Sequence, residues 1–326
     1  MNKYRNYKMI SRYVAMLLAT VLWQWPAIGN AADGAEQKAI LITGASSGIG
    51  RNMAETLAAE GHFVYAGARK QADIDALNAI ENIQAVRLDV TVQEEIDAAV
   101  ETVRKSGKGL HGLVNNAGVS ISGPIMEIDE ADMQFQLDVN LFGPYRVTKA
   151  FAPLIIESKG RITTTGSISG ILSGPLYGPY SMSKHAMEAF TDSLAAEMAK
   201  FDVQVSVIEP GNYNSRIIAA KYRRYDETGL TTSESLFEEE WERVLSMPTD
   251  RSMYKEPDEV SAALMHAMFD DNPKRRYMVV PNPREAEATI RQMIRELVQL
   301  NEGQEYSYDR DTLVAMLDKA LAASHK

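Results

Sequence analysis

The sequence contains no cysteine. Disulfide bonds, thiolate metal sites and a cysteine nucleophile are therefore excluded. The absence leaves the compartment open, because a chain without thiols tolerates oxidising and reducing surroundings alike. Histidine is scarce as well. Its 5 copies are scattered along the chain without the spacing of metal ligands, so the sequence predicts no metal site and argues against a metal hydrolase.

Positive charge is also in short supply. The chain has 34 Lys and Arg against 44 Asp and Glu, which gives a formal net charge of −10, and the acidic residues form no dominant block. A nucleic-acid partner would require clustered basic side chains. The composition therefore predicts no nucleic-acid binding, while an apolar content of 45% allows a sizeable core.

The amino-terminal segment is set apart from the rest of the chain. Basic residues lead it, an apolar run follows over residues 13–28, and small residues stand at Gly29 and Ala31. This pattern is typical of a secretory signal, so residues 1–31 are predicted to be a signal peptide that is cleaved after Ala31. A membrane anchor through residues 13–28 is the alternative, although the run is somewhat short for a span of about 20 residues. A wrongly assigned start codon, and hence a cytoplasmic protein, is a third reading.

Short apolar runs alternate with helix patterns from Lys38 onward. Strands separated by helices pair in parallel through right-handed crossovers and place helices on both faces of the sheet. The sequence therefore predicts an α/β fold, a doubly wound parallel sheet of about seven strands in a single domain. The predicted strands are 39–43, 62–66, 85–90, 110–114, 161–165, 203–208 and 276–280. The predicted helices are 49–60, 71–80, 94–105, 132–156, 181–201, 285–300 and 311–323. The helix over 132–156 is expected to bend near Pro144 and Pro153.

A glycine-rich turn follows the first predicted strand and opens the first helix. Gly44 permits the tight turn, Gly48 lets the backbone approach a pyrophosphate, and Gly50 allows the helix to pack closely on the strand. The amino terminus of the helix attracts the negative charge of the pyrophosphate. The turn predicts a dinucleotide site made of Thr43, Gly44, Ser46, Ser47, Gly48, Ile49 and Gly50.

A tyrosine and a lysine stand four residues apart at the start of the predicted helix 181–201. Tyr180 and Lys184 therefore lie on one face, one turn apart. An ammonium group near a phenol favours the phenolate and lowers its pKa from about 10 toward the range of an acid/base catalyst. The catalytic role of this pair is supported by Ser167 at the end of a strand and by the turn over residues 115–118.

Taken together, these motifs resemble the classical short-chain dehydrogenase/reductase family. They are Thr-Gly-x-x-x-Gly-x-Gly, Asn-Asn-Ala-Gly, an upstream serine and Tyr-x-x-x-Lys. The resemblance implies a Rossmann-like catalytic domain over residues 38–285, a carboxyl-terminal helical extension over residues 286–326, and a homo-oligomer. It also implies an NAD(P)-dependent oxidoreductase acting on CH–OH donors. The segments 138–143 and 207–212 resemble the steroid, retinol and hydroxybutyrate dehydrogenase-like branch.

The choice of nicotinamide nucleotide is predicted from the end of the second strand. Arg69 stands there, and no Asp or Glu occurs between Gly61 and Ala72. An acidic residue would accept from the ribose 2′-hydroxyl, whereas a guanidinium suits a 2′-phosphate, so NADP is favoured over NAD. A solvated arginine is the alternative. The remaining cofactor positions that the resemblance implies are Asp89, Val90, Asn116, Ala117, Gly118, Tyr180, Lys184, Pro210, Gly211 and Tyr213.

The resemblance implies a catalytic set of Tyr180, Lys184, Ser167 and Asn140. Tyr180 exchanges a proton with the substrate oxygen, and Ser167 hydrogen-bonds the same oxygen as charge develops on it. Ser169 competes with Ser167, but the spacing to Tyr180 favours Ser167. Lys184 lowers the pKa of Tyr180 and holds the ribose hydroxyls. Asn140 positions a water that links Lys184 to solvent, or is simply a helix-interior amide that bonds to backbone.

The stretch from Asn212 to Glu256 is the least regular long segment and is expected to cover the substrate. Apolar residues nearby suit an apolar alcohol or ketone, of steroid, retinol or hydroxyacid type, or belong to the core. Arg223 and Arg224 are predicted to lie on a solvated helix face rather than against an acidic substrate. A non-catalytic dinucleotide-binding sensor or scaffold on the same fold is the alternative function.

Overall fold

A computed structural model describes residues 37–324, and a parallel sheet of seven strands forms their centre. The strand order is β3-β2-β1-β4-β5-β6-β7, and each neighbouring pair is parallel. The predicted doubly wound parallel sheet is confirmed. Its strands are β1 (Ala39–Ile42), β2 (Phe63–Ala68), β3 (Ile83–Arg87), β4 (Gly112–Asn115), β5 (Arg161–Thr165), β6 (Gln204–Pro210) and β7 (Arg276–Val279).

The sheet is buried on both faces, which explains the continuous apolar runs in the sequence. Leu41 of β1 lies in register with Tyr65 and Leu113, and all three belong to the core on one face. Ile40 and Ile42 belong to the core on the other face. Alternate residues of each strand thus fill two different cores, so every strand position from Ala39 to Ile42 is apolar.

Helices flank the sheet on both faces. In chain order they are α1 (Gly48–Ala59), α2 (Gln71–Asn78), α3 (Gln93–Ser106), α4 (Glu130–Leu137), α5 (Gly143–Glu157), α6 (Gly178–Met198), α7 (Ile217–Thr228), α8 (Glu238–Leu245), α9 (Asp258–Phe269), α10 (Pro283–Asn301) and α11 (Arg310–Ser324). The chain reaches β3 at one edge and then returns to place β4 on the other side of β1. Ligands bind at such a switch point, beyond the carboxyl ends of the strands.

The helix predicted over residues 132–156, with a bend near Pro144, is interrupted just before that proline. A π-helical turn over Asp138–Phe142 separates α4 from α5. Pro144 follows this turn and has no N–H to donate to the carbonyl of Asn140, so the regular α-helical ladder cannot continue there. Single π-turns inside helices often occur at functional sites, and this one carries Asn140.

The segment predicted to be irregular contains two helices, α7 and α8, and a third helix that the sequence analysis missed, α9, follows it. The buried side chains of α7 include a lysine, Lys221, which breaks the apolar pattern of a packed helix. Helix α9 buries Val260, Leu264 and Met268 against the sheet. Helix α9 is stabilised by the sheet, whereas α7 and α8 pack in a separate cluster around Tyr225, Trp241 and Val244.

The predicted leader, residues 1–31 with its apolar run 13–28, lies outside the described residues. Within residues 37–324, no helix combines the length and the apolar character needed to cross a bilayer. Helices α10 and α11 are present as expected, and α10 begins at Pro283, close to the predicted boundary at residue 285. The division into residues 38–285 and 286–326 stays a prediction.

Candidate active site

A cleft of about 770 Å³ runs along the carboxyl edge of the sheet. The glycine turn, the turn after β4, the end of β5, the start of α6 and the turn after β6 form its walls. The structure therefore brings together segments that are far apart in the sequence. The predicted residues that line the cleft are Gly44, Ser46, Ser47, Gly48, Ile49, Gly50, Arg69, Asp89, Val90, Asn116, Ala117, Gly118, Ser167, Tyr180, Lys184, Pro210, Gly211 and Tyr213.

Two glycines of the first turn adopt a backbone that other residues rarely take. Gly44 has a φ of 67°, and a Cβ there would lie 2.8 Å from the Cα of Ala117. Gly48 has a φ of 56°, and a Cβ there would lie 3.1 Å from the Cβ of Ser215. The turn is therefore built for close backbone approach. It presents the amino terminus of α1 to the cleft, an arrangement that fits a pyrophosphate.

Thr43 does not line the cleft but holds two of its walls together. Its hydroxyl accepts from the backbone N–H groups of Asn116 at 2.9 Å and Ala117 at 3.0 Å. In return, the Asn116 amide donates to the carbonyls of Thr43 at 3.0 Å and Gly44 at 3.2 Å. Asn116 is thus an amide that ties the ends of β1 and β4 together, besides lining the cleft. The contacts of Thr43 are structural, because its side chain is buried and its hydroxyl faces protein.

Arg69 and Asp89 follow β2 and β3, line the cleft and face each other. The Arg69 Nη1 lies 3.5 Å from the Asp89 Oδ2, and the Arg69 side chain is 61% exposed. Burial raises the pKa of Asp89, but hydrogen bonds from the N–H and hydroxyl of Thr91 and the charge of Arg69 outweigh burial, so the pKa lies below its ordinary value. An exposed pair of this length contributes little, and the guanidinium is free to meet a phosphate.

Tyr180 and Ser167 meet at the centre of the cleft. The Ser167 hydroxyl hydrogen-bonds the phenol of Tyr180, and it also accepts from the N–H of Ser169 at 3.1 Å. Ser169, the rival for the catalytic role, thus supports Ser167 through its backbone. Burial raises the pKa of Tyr180, and the bond to Ser167 only partly opposes this effect. The phenol is therefore protonated near neutral pH.

Lys184 is buried one helical turn after Tyr180. Its Nζ donates to the carbonyl oxygen of Thr165 at 2.8 Å and lies 5.7 Å from the centroid of the Tyr180 ring. Burial lowers the pKa of Lys184 to about 8, while the negative charge of Glu188 opposes this shift. Burial raises the pKa of Tyr180 overall, and the expectation that Lys184 lowers it stays a prediction.

Asn140 lies behind the cleft, on the π-helical turn. Its side chain accepts from the N–H of Val119 at 2.8 Å, donates to the carbonyl of Val119 at 2.9 Å and donates to the Ser183 hydroxyl at 3.1 Å. Ser183 in turn donates to the carbonyl of Tyr180 at 2.7 Å. The structure thus matches the alternative interpretation of Asn140, an amide that bonds to backbone. Its predicted role of positioning a water stays a prediction.

The turn after β6 is held from the carboxyl-terminal side of the chain. The Glu285 carboxylate, in the first turn of α10, accepts from the N–H of Asn212 at 2.8 Å. The Tyr213 hydroxyl donates to Glu259 of α9 at 2.7 Å, and the ring belongs to the core. Tyr213 therefore faces away from the cleft with its phenol, so that only its backbone and the edge of its ring can meet a ligand.

A pair of carboxyl groups behind Lys184 escaped the sequence analysis. Glu209 is an acidic residue at the end of a buried strand, and its side chain is 4% exposed. Among the described residues, no N–H or hydroxyl group donates a hydrogen bond to the buried Oε1 atom of Glu188 or Glu209, and the Arg276 Nε lies 3.7 Å from the Glu209 Oε1. One shared proton would satisfy both atoms. Burial raises the pKa of Glu209, and the charge and hydrogen bond of Glu188 raise it further. Its position inside an apolar strand was the one available signal.

The substitution Glu209→Gln is expected to change the pH dependence of stability. In the unfolded chain Glu209 loses its proton in the ordinary carboxyl range, whereas in the folded protein it keeps the proton to higher pH. The free energy of unfolding therefore falls as pH rises above the unfolded value. The amide keeps a donor toward Glu188 and removes this loss, so Glu209→Gln gains stability over the wild type by about 1–3 kcal/mol between acidic and alkaline pH.

Thermal unfolding at about pH 5 and about pH 9 measures this effect. Glu197→Gln is the matched control, because Glu197 is an exposed residue of the same helix as Glu188. An unchanged difference between Glu209→Gln and wild type at the two pH values would show that the two carboxyls do not share a proton.

Comparison with known proteins places this cleft in a family. A family model described as short chain dehydrogenase matches residues 38–226. The mitochondrial D-beta-hydroxybutyrate dehydrogenase of Bos taurus is 35% identical over 75% of this chain and 77% of its own length. The chain belongs to the short-chain dehydrogenase family. Retinol dehydrogenase 5 of Mus musculus is also similar, at 32% identity over 81% of this chain and 88% of its own length.

Solved structures of short-chain dehydrogenases share the fold. One from Burkholderia phymatum in complex with NAD has a TM-score of 0.69 at 24% identity, covering 84% of this chain and 99% of its own. A variant of actinorhodin polyketide ketoreductase with NADPH has a TM-score of 0.62 at 27% identity, covering 74% of this chain and 95% of its own. This short-chain dehydrogenase is thus an oxidoreductase with a site for a nicotinamide dinucleotide.

Proposed function

We propose that this protein interconverts a secondary alcohol and a ketone, or a primary alcohol and an aldehyde, with NADP as cofactor. The observation that carries the proposal is the meeting of Tyr180, Ser167 and Lys184 in the cleft that the glycine turn opens. The glycine turn and the amino terminus of α1 would hold the pyrophosphate. When bound, the nicotinamide supplies or accepts the hydride.

Tyr180 is the proton donor in the reductive direction. Its raised pKa keeps the phenol protonated, which is the form that gives a proton to a carbonyl oxygen. Ser167 already bonds the phenol, so a substrate oxygen beside both hydroxyls would receive two hydrogen bonds as negative charge develops on it. Lys184 holds a positive charge one turn away and fixes the end of β5 through Thr165. Asn140 positions α6 through Ser183 and the turn after β4 through Val119.

The preference for NADP is proposed to come from Arg69. Replacing Arg69 by Asp should lower kcat/KM for NADP by about 10- to 100-fold, because a charge-assisted hydrogen bond to the 2′-phosphate is lost and a repulsive charge is added. The value for NAD should hold or rise, since a carboxylate accepts from the ribose 2′-hydroxyl. Initial rates with both cofactors measure the ratio. Arg104→Asp, at an exposed arginine of α3, is the control for a general change of surface charge.

The function itself is tested with the purified protein, both cofactors and a panel of ketones, aldehydes and alcohols. The absorbance of the reduced nicotinamide reports turnover, and calorimetry reports cofactor binding. Cofactor binding without turnover of any member of the panel would favour the dinucleotide-binding sensor. Failure to bind either cofactor would contradict the proposal as a whole.

Residues 1–31 are proposed to export the protein, with cleavage after Ala31, and the mature form is proposed to be a homo-oligomer. The export of the protein is supported by the sequence pattern of a basic lead, an apolar run and small residues before the cleavage site. The homo-oligomer follows from the resemblance to the family alone. Fractionation of cells that express a tagged protein, with amino-terminal sequencing of the mature form, distinguishes a cleaved signal from a retained anchor through residues 13–28.

A further inference from the structure

The charges that line the cleft are unevenly distributed. Its acidic lining residues are Asp73 and Asp89, both at the end where Arg69 lies. The other charged side chains among the described lining residues, which include Arg223 and Arg251, are all basic. The end of the cleft that is left for a substrate is therefore positive, although the whole chain carries a net charge of −10.

Arg251 is the more informative of the two arginines because it is buried, with 6% of its surface exposed. Its Nε donates to the carbonyl of Tyr213 at 3.3 Å, and its Nη2 lies 3.5 Å from the Asn212 side-chain oxygen. Its Cζ lies 3.7 Å from the centroid of the Tyr254 ring. These contacts hold the guanidinium in place but are all to uncharged groups, and within residues 37–324 it forms no ion pair. A buried cation without a counter-ion is unfavourable.

A second buried cation lies next to it. Lys221 of α7 is 2% exposed, its Nζ donates to the Ser122 hydroxyl at 3.2 Å, and it lies 5.9 Å from the centroid of the Tyr177 ring. Burial, and to a lesser extent the positive charge of Arg251, lowers its pKa to about 8. No carboxylate among the described residues forms an ion pair with Lys221. Two neighbouring buried cations thus repel each other with no acid between them.

Tyr177 joins this pair of cations to the cleft. It lines the cleft together with Tyr180, and its hydroxyl donates to the sulfur of Met247 at 3.3 Å. A strong donor that is bonded only to a thioether is poorly satisfied. It can turn to an anion beside Arg251. Tyr177, Arg251 and the charge of Lys221 behind them therefore form a pocket with hydrogen-bond donors and positive potential and no acceptor of matching charge.

We propose that the substrate of this enzyme carries a carboxylate, which binds Arg251 beside Tyr177 while the carbonyl to be reduced faces Tyr180 and Ser167. The guanidinium and a carboxylate share two parallel hydrogen bonds in their preferred geometry. The substrate then supplies the counter-ion that residues 37–324 do not. This inference rests on the proposed oxidoreductase function and narrows its substrate to oxo acids and their hydroxy acids.

The test compares straight-chain oxo acids with their methyl esters, which differ in charge but keep the ketone. In the wild type, kcat/KM should be higher for the acids. Arg251→Met should lower kcat/KM for the acids by about 10- to 100-fold, mainly through KM, and leave the esters nearly unchanged. Lys221→Met should act in the same direction with a smaller effect, because its charge is farther from the ligand. Arg243→Met, at a 69% exposed arginine of α8, is the matched control.

The outcomes separate the two proposals. Turnover of both series without regard to charge, or equal losses for acids and esters in Arg251→Met, would overturn the carboxylate site and leave the oxidoreductase function standing. Calorimetric titration of the NADP complex with the same oxo acids gives a readout that does not need turnover. Binding of acids that is weakened in Arg251→Met supports the site even if no ketone of the panel reacts, whereas equal affinity in both proteins contradicts it.

Discussion

Tyr180→Phe is expected to lower kcat by about 10²- to 10⁴-fold, the usual contribution of a positioned acid or base. The substitution removes the phenol that Ser167 hydrogen-bonds and keeps the ring that packs beside Lys184. Cofactor affinity should hardly change, because the glycine turn, Arg69 and the turn after β4 are not altered. Single-turnover rates and calorimetric titration with NADP measure the two quantities separately.

Two further tyrosines make this experiment specific. Tyr145→Phe, at a 50% exposed residue of α5, should leave kcat at the wild-type value. Tyr177→Phe removes the other phenol of the cleft and should change KM for oxo acids rather than kcat. If Tyr177→Phe abolishes turnover and Tyr180→Phe retains it, Tyr177 and not Tyr180 is the proton donor.

Lys184→Met is expected to lower kcat by a factor of the same order as Tyr180→Phe. It should also raise KM for the cofactor, since the ammonium is proposed to hold the ribose hydroxyls as well as to place a charge beside the phenol. The substitution also removes the hydrogen bond from the Lys184 Nζ to the carbonyl of Thr165, so the end of β5 becomes less well fixed. Initial-rate kinetics with varied cofactor and varied substrate separate the two effects. A variant with normal kcat and a raised cofactor KM would restrict Lys184 to ribose binding.

Lys184→Met should also change how the free energy of unfolding depends on pH. Burial lowers the pKa of Lys184 to about 8, which means that the charged side chain destabilises the folded protein. The contribution of Lys184 to wild-type stability should therefore rise as pH increases from about 8 toward the pKa of the unfolded chain, because the unfolded state then binds more protons at this residue. This sign is opposite to that of Glu209. A methionine removes this term, and the variant should be at least as stable as wild type below pH 8. Lys159→Met, at a 68% exposed lysine, should show no such pH-dependent gain.

The sheet and the motifs at its carboxyl edge could be predicted because their causes are local. Strands buried on both faces are continuous apolar runs, as over Ala39–Ile42, and the turn after β1 needs glycine where φ is positive, at Gly44 and Gly48. Parallel pairing then places the carboxyl ends of the strands side by side. The union of the glycine turn, Ser167 and Tyr180 in one cleft follows from these two facts.

The elements that were missed have causes that lie elsewhere in the fold. Helix α9 is stabilised by the sheet that it covers, and α7 and α8 pack in a cluster around Tyr225 and Trp241. The interpretation of Arg224 as solvated is wrong, because it forms an ion pair with Asp132 and its Cζ lies 3.9 Å from the Phe135 ring. Asp132 and Arg224 are distant in sequence. Which charges are left without a partner, as for Arg251, is decided only by the tertiary structure.

The central position of β1 places a demand on the chain while it is being made. Leu41 pairs with Tyr65 on one side and Leu113 on the other, so β1 leaves the ribosome long before its second neighbour exists. Until β4 has been synthesised, one edge of an apolar strand presents unpaired N–H and C=O groups. Such an edge invites pairing with other chains. Chaperones should therefore bind a ribosome-bound nascent chain that ends before Gly112, and they should dissociate from one that extends past β4.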